Sequence, residues 1–207
     1  TLIEPSINKN KDYSYNYLLS VIRSSMLDNK KLRWLIIYSS AMGVGTLSIA
    51  WFSQPFFKQI DIPLIYFGIL WAALNFSAGI TSFNSHYIKY KKVNKLLLII
   101  SIAMLISFIM LGANNSLLGL LFIFIIYIIR GIVTPILRNE ININTTSERR
   151  ATVLSIRSFI IRVSFAIFAP LLGYIADNYS LATSFYILSL IVFSFSFLAY
   201  IRMLELD

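Results

Sequence analysis

The sequence predicts an all-α integral membrane protein of six transmembrane helices, and three observations carry that prediction. Of its 207 residues, 57% are hydrophobic and only 13% charged, with a mean hydropathy of +0.74, well outside the usual composition of a water-soluble domain. Six apolar runs are each long enough to cross a hydrocarbon core about 30 Å thick, which takes about 17–25 helical residues. The runs also lack the alternating polar positions that the strands of a transmembrane barrel require.

The six runs occupy residues 34–57, 63–85, 96–113, 116–137, 151–176 and 181–201. Counting basic residues between them orients the chain. The segment before the first run holds six (Lys9, Lys11, Arg23, Lys30, Lys31, Arg33), the second connection four (Lys89, Lys91, Lys92, Lys95), the fourth three (Arg138, Arg149, Arg150) and the tail one (Arg202). The first, third and fifth connections together hold only Lys58. Fourteen against one predicts that both ends of the chain, with the second and fourth connections, lie in the cytoplasm of a multi-pass cell-membrane protein.

Residues 1–33 form a lead-in to the bundle of residues 34–207. In "NKDYSYNYLLSVIRSSMLDNKKLRW", Leu18, Ile22 and Met26 recur at helical spacing while Asn16, Ser20, Arg23 and Ser24 fall elsewhere, as in an amphipathic helix on the inner membrane surface. The sequence begins at Thr1 and its first thirty residues contain no apolar signal-peptide core, so it reads as a piece of a longer protein.

A net charge of +9 raises the question of nucleic acid, but the basic residues fall in short clusters between apolar runs, which is topology and not a binding face. Cysteine is absent and the one histidine, His86, stands beside lysines at a span end, an interfacial position with no metal-ligand companions. No metal or cofactor is expected. An intramembrane enzyme needs a nucleophile with a base, or a metal cluster, and neither is present; nor is a glycine-rich loop ending in Lys-Ser or Lys-Thr for nucleotide-driven transport.

Helices in lipid gain little by burying apolar surface against one another, so small and polar residues mark their contact faces. At 100° per residue, three spans each gather such residues within about 60° of one direction. The first carries Ser40, Gly43, Ala50, Trp51 and Gln54; the second Gly68, Trp71, Ala72, Asn75, Gly79 and Ser82; the fifth Ser155, Ser158, Arg162, Ala166, Ala169 and Gly173. Each stripe is expected to face protein or a water-filled cavity. Asn75, mid-span with Trp71 one turn away, suits holding an amphipathic solute or bonding a neighbouring helix. Gln54, before Pro55, either lines an outer vestibule or ends its helix. Pro135 cannot donate to the carbonyl of Gly131, which predicts a kink in the fourth span, and its match with Pro55 in the first span fits two inverted three-helix repeats.

Three arginines lie within the spans. Arg130 is expected about 10 Å and Arg157 about 9 Å from their cytoplasmic helix ends, close enough to snorkel, whereas Arg162, about 16 Å in, is not. Such a charge costs about 2.5–3.5 kcal/mol on insertion scales unless compensated. Every acidic residue (Glu4, Asp12, Asp28, Asp61, Glu140, Glu148, Asp177, Glu205, Asp207) is in a loop, a terminus or at a span end. Compensation for Arg162 must come from carbonyls, cavity water, an anionic ligand or another part of the protein.

The basic lead-in, six spans, and "ERRATVLSIRSFIIRVSFAIFAPLLGYIAD" after "RGIVTPILRNEIN" together resemble the carboxy-terminal half of a major facilitator superfamily transporter, over essentially the whole chain. "PLLGYIAD" resembles the eleventh helix of such proteins, kinked at Pro170 and Gly173, and "WFSQPFF" with "YFGILWAALNFSAG" resembles the seventh and eighth helices of bacterial efflux-type members. "GITSFNSHYIKYKK" departs from the family by lacking the acid of its loop motif. The resemblance implies a twelve-span carrier whose two halves rock about a central site, with the amino-terminal six-helix half supplying the protonatable carboxylates. The leading expectation is thus a proton-coupled exporter of small amphipathic compounds, with Trp51, Gln54, Trp71, Asn75, Arg130 and Arg162 on the pathway and Pro55, Gly131, Pro135, Pro170 and Gly173 at kinks or gates. The alternatives are a carrier of an anionic substrate bound by Arg130 and Arg162, and a six-span channel or scaffold subunit.

Overall fold

In the computed structural model, residues 15–85 and 93–206 are described, and among them every regular element is helical. Seven α-helices follow in order: α1 Tyr15–Arg23, α2 Lys30–Gln59, α3 Phe67–Asn84, α4 Val93–Ala113, α5 Leu118–Ile143, α6 Arg150–Asn178 and α7 Leu181–Leu204. A π-helical turn, Ser24–Asp28, links α1 to α2, and a 3-10 turn, Leu64–Tyr66, leads into α3. The last six helices are long and apolar enough to cross a membrane, which makes this a multi-pass membrane protein.

All six expected spans are present; several of their ends reach further than the sequence reading, while α3 is shorter at both ends and α5 begins two residues later. α2 starts at Lys30, α4 at Val93, and α5 and α7 run on to Ile143 and Leu204. These extensions carry Lys30, Lys31, Arg33, Lys95, Arg138 and Arg202. An apolar-run scan stops at charge, but Lys and Arg are good helix formers and the backbone continues through them. Discrete caps stop some ends. The Asn29 side chain accepts from Leu32 N at 2.9 Å and the Ser180 hydroxyl from Thr183 N at 3.0 Å, at the starts of α2 and α7, satisfying donors a helix leaves unpaired.

The core lies among α2, α4, α5 and α7. Phe185 sits edge-on to Phe56 at 6.3 Å and 6.4 Å from Phe108, joining α7 to α2 and α4. Tyr38, fully buried on α2, donates to Leu97 O at 2.7 Å and lies 3.0 Å from Ser101 Oγ on α4, so its hydroxyl is satisfied where unpaired polar groups are costly. Ser40, Ser107 and Ser158 turn their hydroxyls back onto the carbonyls of Ile36, Ala103 and Leu154 at 2.8, 2.7 and 3.0 Å. That device lets a hydroxyl-rich helix enter lipid without orphan donors.

α3 packs mainly on α5, and α6 mainly on α2 and α7. Only 6% of the most apolar stretch of either α3 or α6 is buried, against 61% for α2. The small-residue stripe of α3 is uncovered: a Cβ on Gly68 or Gly79 would meet nothing within 4 Å, and the same holds for Gly173 on α6. α3 and α6 are therefore two half-clad helices flanking one side of the bundle.

The lead-in packs one face of its helix on the protein. Its buried residues are Val21 and Ser25, while Ile22 is exposed and Met26 partly buried; the Leu18 side chain lies outside the described residues. The reason is protein contact: Arg149 donates to Ser24 Oγ at 3.0 Å, Asn29 to Asn144 O at 3.4 Å and Tyr17 to Glu148 O at 3.5 Å. The lead-in thus docks on the connection between α5 and α6, so its inward face is chosen by that connection. His86, Lys89, Lys91, Lys92, Lys9 and Lys11 are outside the described residues, as are Glu4, Asp12 and Asp207.

Candidate functional site: an arginine-lined cavity

A cavity of about 710 Å³ opens between α3 and α6, with α2 and α5 as its floor. α2 contributes Gly43, Thr46, Ala50, Trp51 and Gln54; α3 contributes Trp71 and Asn75; α5 contributes Arg130, Thr134 and Arg138; α6 contributes Arg157, Ser158 and Arg162. The six side chains singled out for a pathway, Trp51, Gln54, Trp71, Asn75, Arg130 and Arg162, all line this one cavity. Helical geometry brings them together. Asn75 and Trp71 are four apart on α3, as are Arg130, Thr134 and Arg138 on α5, so each set keeps to one face.

Individual positions differ from expectation. Arg157, expected to snorkel, is 7% exposed and donates through Nε to the hydroxyl of Ser39, itself fully buried on α2. Depth along a helix does not say what stands opposite, and here α2 does. Arg130 lies thirteen residues before the end of α5, about 20 Å at 1.5 Å per residue, farther from that end than the 10 Å anticipated because α5 runs past Leu137. Its guanidinium lies 5.7 Å from the centre of the Tyr127 ring, a cation–π placement. Arg162 is exposed within the bundle, on the cavity wall. Arg138 was counted among loop cations, but α5 includes it.

Trp51 is 67% exposed and stacks on Phe165 of α6, ring centres 6.4 Å apart. Asn75 donates to its own helix, at the Trp71 carbonyl, at 2.9 Å; of its two expected roles, the bond to a neighbouring helix is absent among the described residues, and Oδ1 is left to the cavity. The Trp71 indole N–H has no partner among the described residues. Gln54 is exposed at the opposite end of the cavity from Arg138.

The proline and glycine positions separate. α2, α5 and α6 each run unbroken through Pro55, Pro135 and Pro170. Gly131 is a crossing point: a methyl group there would collide with Thr81 Oγ1 and the Ala78 carbonyl oxygen of α3. The absence of a side chain, more than the missing donor of Pro135, is what this position supplies. Gly173 meets nothing within 4 Å.

No acidic residue and no histidine lines the cavity among the described residues, and those residues hold no cluster of metal-ligating side chains. Two unit cations 10 Å apart repel by about 1.7 kcal/mol at an effective dielectric of 20, so four arginines around one cavity, two from α5 and two from α6, make a space that favours anions. Sequence reasoning missed Arg138, Thr134 and Ser39. The four-residue spacing from Arg130 was a signal for the first two; nothing in the sequence pairs Ser39 with Arg157. Comparison with known protein families, curated proteins and solved structures finds no match for this chain.

Proposed function

We propose that this chain is one six-helix half of a secondary carrier of the major facilitator type, moving small amphipathic molecules across a bacterial cell membrane by alternating access. The observation that carries the reading is the one-sided cavity. It is walled by two helices that are each covered on one side only, and it presents arginines and an asparagine well within the spans. Lipid is a poor cover for such a wall; a second six-helix half, with the cavity between the two, is a good one.

The packing pattern adds support. Exchanging α2 with α5, α3 with α6 and α4 with α7 carries the α2–α7 contact onto α5–α4, and α3–α5 onto α6–α2, all of which are made, whereas the α6–α7 packing has no comparable α3–α4 counterpart among the described residues. The matched pairs are those an inverted three-helix repeat would give. On this reading the rigid bundle rocks as a unit, held by the aromatic core and the Arg157–Ser39 link, while α3 and α6 slide against the other half. Because the cavity wall holds no Asp, Glu or His among the described residues, a proton-coupled export cycle takes its protonatable group from the second half.

The chain contains no cysteine, so single-cysteine labelling tests this cleanly. Ser158→Cys, on the cavity wall, should react with a membrane-impermeant maleimide from either side, and conditions that raise one rate should lower the other. Simultaneous, unlinked reactivity from both sides is the behaviour of a continuous pore and would rule out the carrier.

A further inference from the structure

The four cavity arginines lie in two rows. On α5, Arg138 stands about 8 Å and Arg130 about 20 Å from the helix end, and on α6, Arg157 and Arg162 stand about 10 and 18 Å from the helix start, at 1.5 Å per residue. The ends concerned, Ile143 and Arg150, flank the same connection. The two rows therefore rise together, from a mouth beside that connection to mid-depth, and the cavity they share carries no acidic residue among those that line it.

The guanidiniums are also largely unspent. Arg157 gives its Nε to Ser39, but Arg130, Arg138 and Arg162 have neither a hydrogen bond nor an ion pair to any described residue. A guanidinium presents a planar fork that matches a carboxylate or phosphate bidentately. Across the cavity from α6, the Trp71 indole and the Asn75 amide oxygen face the same space, and Trp51 adds an exposed ring. Flat aromatic walls with a few fixed polar groups are how proteins hold a ring-bearing solute.

We propose that the cavity binds an organic oxyanion, a carboxylate or phosphate attached to a flat apolar group. The acid lies between Arg130 and Arg162 and the ring against Trp51 and Trp71, with Arg138 and Arg157 drawing the anion in from the mouth. The proposal deepens the carrier reading by naming a substrate class; the transport of that anion rests on the carrier reading, whereas its binding does not.

The test is equilibrium titration of the intact purified protein with four probes of one shape: 2-naphthoate, 2-naphthyl phosphate, neutral 2-naphthamide and cationic 2-naphthylmethylammonium. At least one anion should bind ten-fold or more tightly than the neutral and cationic probes, and the tighter anion names the acid group. Arg130→Gln and Arg162→Gln should each weaken anion binding at least ten-fold. Arg162→Lys, which keeps the charge and guards against a variant that fails to fold, should weaken it less, and Arg202→Gln, outside the cavity, should not change it. Naphthoate and naphthyl phosphate binding no better than naphthamide means the arginines are neutralised by carboxylates from elsewhere, and overturns the proposal. So does unchanged anion affinity in a folded Arg162→Gln protein. In proteoliposomes, anion binding without transport contradicts the carrier reading and leaves the anion site standing; transport of the cationic probe that is indifferent to Arg130→Gln and Arg162→Gln does the reverse.

Discussion

Arg157 and Gly131 show how a single side chain, or its absence, ties two helices of this bundle together. Arg157 is buried at the α2–α6 contact with its Nε on the Ser39 hydroxyl. Removing that acceptor leaves part of a buried cation unpaired, and hydrogen bonds to charged groups contribute about 1.5–3 kcal/mol. Ser39→Ala should lower stability by about that amount, measured by reversible unfolding in detergent; an unchanged midpoint would mean that the link adds nothing. Gly131 brings α5 against Ala78 and Thr81 of α3. Gly131→Ala should cost about 1–3 kcal/mol through overpacking, although alanine is the better helix former by up to about 1 kcal/mol, so a stabilised variant would show that the crossing yields easily. Neither role could be read from sequence. Periodicity tells which residues share a face, and Arg162, Asn75 and Trp71 were found that way, but it does not tell which residue of another helix stands opposite.

At the scale of elements, the apolar runs announced every span, because about twenty consecutive apolar residues have few alternatives to crossing a bilayer. Their ends were less legible. Lys30, Arg138 and Arg202 look like loop residues by hydropathy but lie inside helices, and that error placed Arg130 too near the end of α5. Which face the lead-in turns to the protein was not legible, because it is set by contacts to Glu148, Arg149 and Asn144, more than a hundred residues away in sequence. Orientation rests on the basic-residue bias and has a direct check. Tyr179→Cys, exposed between α6 and α7, should be labelled by an impermeant maleimide added outside intact cells. Thr146→Cys, exposed between α5 and α6, should be labelled only after the membrane is opened. The opposite pattern would invert the topology and put the mouth of the arginine rows outside.

At the scale of the whole molecule, the bundle is built with one finished side and one open side. The aromatic cluster of Phe56, Phe108 and Phe185 closes the first, while α3, α6 and the cavity between them form the second. Gly68 and Gly79 of α3 and Gly173 of α6 have nothing within 4 Å of a Cβ, and among the described residues no acid lines the cavity beside its arginines. The central claim is that this open side works against a second half in alternation. Exchange across the membrane tests it most directly. Proteoliposomes containing the intact protein and preloaded with unlabelled 2-naphthoate should take up labelled 2-naphthoate several-fold faster than empty ones, because a carrier returns faster loaded than empty. Uptake that follows the gradient alone, indifferent to solute on the far side, would contradict the account and identify a pore.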